Sequence, residues 1–131
     1  MVVTNGASYA RGPIDDHVQE STVGSVLRLA ATDAGSTLAV AAWGMLPGDR
    51  RTWTYAELLR DAERAARALL THFKPGEHVA VYAPNEAEWL LLELGAGLAG
   101  VVLVTVNPAY RAKELDFVLR QSRAAGVFHS R

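Results

Sequence analysis

Cysteine is missing from all 131 residues, which removes disulfide frameworks, thiolate metal sites and cysteine nucleophiles at once. Lysine occurs only at Lys74 and Lys113. Neither follows the glycines of a G-x-x-x-x-G-K-[ST] loop, so the ordinary phosphate-binding loop is missing too. Charge of one sign is not in excess: the formal net charge is -1, with acids and bases interspersed. The positive footprint of a nucleic-acid binder is therefore lacking, and there is no acidic or basic tail. Long apolar runs are short of what a membrane requires. Trp89 to Val106 comes nearest, but Glu93 interrupts it, and Leu94 to Val106 falls below the roughly 20 residues of a spanning helix. No transmembrane segment is expected. The start, "MVVTNGASYARGPIDDH", has neither the basic leader nor the apolar segment of a secretory signal. A cytoplasmic location is the expectation.

What is present suits one domain, since 50% of the residues are hydrophobic. Residues 1–20 lack periodicity and read as a flexible arm; residues 21–131 read as the folded part. After Ser21-Thr22, the spacing of Val23, Val26, Leu27, Ala30 and Ala34 predicts a helix with one buried stripe, ended by Gly35. "LAVAAW" and "TWT" flank Pro47-Gly48-Asp49 and read as a hairpin. Thr54 and Glu57 have capping-box spacing and open a long helix. Its stripe is Leu58, Ala62, Ala65, Ala66, Leu69 and Phe73, opposite Arg60, Arg64 and Arg67, and Pro75-Gly76 ends it. A strand over His78 to Ala83 follows. Asn85 and Glu88 then repeat the cap logic before a helix, carrying Trp89 to Leu94, that is apolar nearly all round. "VVLVTV" (101–106) is apolar on both faces, as an inner parallel strand should be. A helix over Arg111 to Ser122, with Leu115, Val118 and Leu119 inward, precedes a strand in "GVFHS". The fold class is α/β: a β-hairpin followed by strand-helix repeats, with right-handed crossovers expected.

Several motifs have the letters of chemistry. Gly95, Gly97 and Gly100 spell G-x-G-x-x-G, but a dinucleotide fingerprint follows a strand and opens a helix. Here a helix precedes and a strand follows, so the glycines are expected to end the helix and allow tight helix-sheet contact. His17, His72, His78 and His129 have no partner histidine at a ligand spacing. Asp15-Asp16-His17 reads as solvated arm, and no G-x-S-x-G elbow occurs. The arginine row reads as a solvated helix face. Trp43, Trp53 and Trp89 read as core, with Trp53 the one to watch as a ligand surface. Asn107-Pro108 ends a strand sharply, where open α/β sheets place ligands, although a plain turn explains it equally.

The order "TWTYAELLRDAERAARALL", then "PGEHVAVYAPNEAEWLLLELGAGLAGVVLVTVNPAYRAKELDFVLRQSRAAGVF", resembles the beginning of the AMP-dependent synthetase and ligase family of adenylate-forming enzymes. It is most similar to the fatty-acyl-CoA synthetases. Thr54 to Leu58 stands at the family's first core motif, and Leu98 to Tyr110, with Gly100 and Asn107-Pro108-Ala109-Tyr110, at its second. The resemblance implies the first part of a large amino-terminal domain, followed by a small mobile carboxyl-terminal one. It implies a carboxylate attacking ATP to give an acyl-adenylate and pyrophosphate, after which coenzyme A thiol displaces AMP. ATP, CoA and Mg, with a fatty acid or other carboxylate, are thereby implied for the full-length enzyme. The family's Ser/Thr/Gly-rich phosphate loop, magnesium glutamate and carboxyl-terminal lysine match no position here. No catalytic, cofactor-binding or metal residue carries over. The chain is expected to be an inactive amino-terminal fragment that depends on a remainder of the domain; the alternative is a non-catalytic α/β binding or interaction module.

Overall fold

The computed structural model describes residues 20–43, Gly48 and residues 50–130. The arm at 1–19, including Asp15-Asp16-His17, lies outside the described residues, as do Pro47 and Asp49 of the hairpin turn.

The first element is helix α1 (Val23–Asp33), opened by a reciprocal cap between Thr22 and Ser25. Its contact line differs from the expected stripe, because Gly24 and Leu27 are buried while Val23 and Val26 are exposed. The cause is close approach. A Cβ on Gly24 would sit 2.9 Å from Leu98 Cδ2, so the helix leans on its neighbour through position 24 and rotates the valines outward.

Strands β1 (Leu38–Trp43) and β2 (Arg50–Thr54) form the antiparallel hairpin, two residues longer in its second arm than "TWT" suggests. Helix α2 (Tyr55–Leu70) begins at Thr54. The Thr54 hydroxyl accepts from the Glu57 amide at 3.3 Å, and the Glu57 carboxylate accepts from the Thr54 amide at 2.9 Å. These bonds hold the Glu57 carboxyl below the usual carboxylate range. Thr54→Ala should cost about 1 kcal/mol, read from urea unfolding, with Thr54→Ser retaining most of it. The helix stops at Leu70 rather than running to Phe73. Thr71 forms the C-cap, its hydroxyl donating to the Ala68 carbonyl at 2.7 Å.

Strand β3 (His78–Tyr82) leads to helix α3 (Ala87–Ala99), strand β4 (Val102–Val106), helix α4 (Ala112–Ser122) and strand β5 (Gly126–His129). The three strands pair in parallel in the order β4-β3-β5. This corrects the position expected for "VVLVTV": β4 is an edge strand among the described residues, and β3, whose Val79, Ala80 and Val81 are buried, is the inner one. An apolar run marks burial on some face without saying which strand has two neighbours.

Helix α3 departs from expectation at both ends. Glu86, not Asn85, is its N-cap, and no side chain caps it. Glu88 instead pairs with Arg51 of the hairpin, which takes it away from the helix start. At the other end the helix continues through Gly95 and Gly97, and only Gly100 terminates it. There φ is 70°, and the Val101 amide returns to the Ala96 carbonyl at 3.0 Å.

Gly95 faces α2, where an added Cβ would meet Ala65 Cβ at 2.7 Å and the Ala62 carbonyl oxygen at 3.1 Å. The tight contact is thus helix on helix, not helix on sheet. It sits between two apolar clusters. One gathers Ala66, Leu69, Val79, Ala96, Ala99 and Val101 against the sheet. The other gathers Leu27, Trp53, Leu58 and Ala62 between the hairpin and the helices.

Candidate functional site

The carboxyl ends of the parallel strands are where ligands bind in open α/β sheets, and two features meet there. The first is the turn after β4. Asn107 Oδ1 accepts from the Ala109 amide at 2.9 Å, and the Tyr110 amide donates to the Asn107 carbonyl at 3.0 Å. The asparagine thus satisfies its own turn, and Pro108 removes the donor that would have extended the ladder. Tyr82, at the end of β3, donates its hydroxyl to the Tyr110 carbonyl at 2.7 Å and ties the turn to the inner strand. The Asn107 side-chain oxygen and the Tyr110 amide are thus spent within the turn. The turn is a structural stop with exposed residues.

The second feature is a groove of about 570 Å³ between α2, α3 and the end of β5. Ala68 comes from α2 and His72 from the turn just after it, Trp89 and Leu92 from α3, and Phe128 and His129 from β5. Gly126 lets β5 approach, since a Cβ there would sit 2.7 Å from Phe73 Cζ. Phe73 meets Phe128 edge to face at 6.4 Å. Glu86 and Glu88 stand among the lining residues, which include no lysine or arginine. The Arg51 hydrogen bond, and then the helix-start amide of Glu88 itself, hold the Glu88 carboxyl below its ordinary value. Such walls suit apolar side chains or hydrocarbon. They do not suit a triphosphate, whose charge requires fixed cations and oriented amides.

The other candidates disperse. Gly95 and Gly97 lie inside α3 and do not open a helix. Trp53 is buried in the second cluster, with its indole N–H donating to Asp61 Oδ2 at 3.1 Å and Arg51 stacked 4.8 Å above the ring. It is core, and no ligand surface remains to it. Trp43, by contrast, is 75% exposed, with Arg50 above it at 5.5 Å. That corrects its expected place in the core.

Arg60, Arg64 and Arg67 lie on the exposed side of α2 beside Asp61 and Glu63, as a solvated face should. His78 contacts the Ser122 carbonyl at 2.6 Å and joins β3 to the end of α4. Among the described residues, no three His, Asp or Glu side chains gather as a metal site, and no helix is long and apolar enough to cross a membrane. The groove itself escaped sequence reading. Its walls are mostly apolar positions on α2, β3, α3 and β5, and no spacing links them.

The family model described as AMP-binding enzyme matches residues 27–131. The medium-chain acyl-CoA ligase ACSF2 of Rattus norvegicus, a mitochondrial protein by name, is 33% identical over 123 residues, which cover 93% of this chain and 19% of that protein. The crystal structure of the N-terminal domain of FACL13 from Mycobacterium tuberculosis superposes with a TM-score of 0.76 at 30% identity, covering 83% of this chain and 27% of that one. A Mycobacterium tuberculosis fatty acyl CoA synthetase gives a TM-score of 0.72 at 30% identity, with 82% and 21% covered. The chain therefore spans about a fifth to a quarter of the length of these relatives. It carries the hairpin and the parallel β-α units of the amino-terminal part of adenylate-forming enzymes. With the match running from α1 through β5, the chain belongs to the AMP-binding enzyme family.

Proposed function

We propose that this chain supplies the opening scaffold of an ATP-dependent, AMP-forming fatty-acyl-CoA synthetase. It sets the parallel sheet and its flanking helices, while the groups that handle nucleotide and thiol lie outside its 131 residues. The observation that carries this reading is a contrast. The family match runs over residues 27–131, yet at the carboxyl edge of the sheet the described residues present a turn closed by its own hydrogen bonds and a mostly apolar groove whose lining includes no lysine or arginine. ATP, CoA and Mg belong, on this reading, to the full-length enzyme, and the substrate is a fatty acid. A cytoplasmic location is part of the same proposal, supported by the cysteine-free composition.

The experiment is a transplant. This chain replaces the matching stretch of the Mycobacterium tuberculosis fatty acyl CoA synthetase, and acyl-CoA formation is measured with ATP and CoA. The chimera should work within about a hundredfold of its parent, because a scaffold exchange disturbs positioning but removes no reacting group. A folded chimera that makes no acyl-CoA would overturn the proposal.

A further inference from the structure

We draw no further inference here: the strongest candidate, the exposed apolar face of α1 formed by Val23, Val26 and Leu29, carries nothing because nothing in the structure shows what covers it.

Discussion

Gly95→Val should cost about 3 kcal/mol or more of stability, while Gly97→Ala, two residues along the same helix, should add about 0.5–1 kcal/mol. The opposite signs follow from what each new Cβ meets. At position 95 it would lie 2.7 Å from Ala65 Cβ and 3.1 Å from the Ala66 amide nitrogen, atoms fixed in the backbone of α2 or one bond from it. No rotamer change relieves that contact. The two helices have to separate, which loosens Ala62, Ala66 and Ala96, all buried beside it.

At position 97 the nearest atoms are Val23 Cβ and Cγ1 at 3.7 Å, ordinary contact distance. Alanine there gains helix propensity without strain. Against a total stability of order 5–15 kcal/mol for a domain of this kind, the Gly95 change alone could remove much of the folded population. Urea unfolding of the two variants beside the parent measures both. Equal effects of the same sign would show that α3 does not press on α2 through Gly95.

Trp53→Ala should be as severe, at about 3–5 kcal/mol, because it empties the centre of the cluster formed with Leu27, Leu58 and Ala62. Trp53→Phe separates packing from hydrogen bonding. It keeps much of the apolar area and deletes the indole N–H that donates to Asp61. That bond is the main reason the Asp61 carboxyl lies below its ordinary value, with Arg60 and Arg64 helping.

The sign of the pH effect follows from the depressed pKa. Such a carboxyl contributes stability that is fully present above the unfolded aspartate value of about 3.9, and loses it as pH falls through the lower folded value. Parent and Trp53→Phe should therefore differ most at neutral pH and converge on acidification below about 3.9. Urea midpoints across a pH series measure this, and a difference that stays constant through the acid range would contradict the role given to the indole.

Much of the fold was legible because short-range chemistry and long-range packing agree over most of the chain. Thr54 and Glu57 cap α2 with the predicted reciprocal bonds. The stripe Leu58, Ala62, Ala66 and Leu69 is the buried one. "GVFHS" does form a strand parallel to β3. The failures occur where a tertiary partner outbids the local preference.

Gly95 and Gly97 read as helix breakers, yet α3 passes through both: at Gly95 only a residue without a side chain fits against Ala65, while Gly97 meets nothing nearer than Val23 at 3.7 Å. Asn85 and Glu88 have cap spacing, but Arg51, brought in from the hairpin, takes the glutamate. Val23 and Val26 have helical spacing, but Gly24 sets the angle at which α1 lies. The candidate site divides the same way. Asn107-Pro108 was readable as a turn because all its partners lie within a few residues. The groove was not, because Trp89 and Phe128 become neighbours only when β5 adds beside β3.

The scaffold account stands or falls on whether these residues perform adenylation by themselves. ATP–pyrophosphate exchange by the purified chain, with fatty acids of several lengths and magnesium present, measures this directly. The account predicts exchange indistinguishable from a blank at every chain length, since among the described residues the groove at the carboxyl edge of the sheet is lined by no lysine or arginine. Exchange that rises with a fatty acid, and survives repurification of the chain, would contradict it.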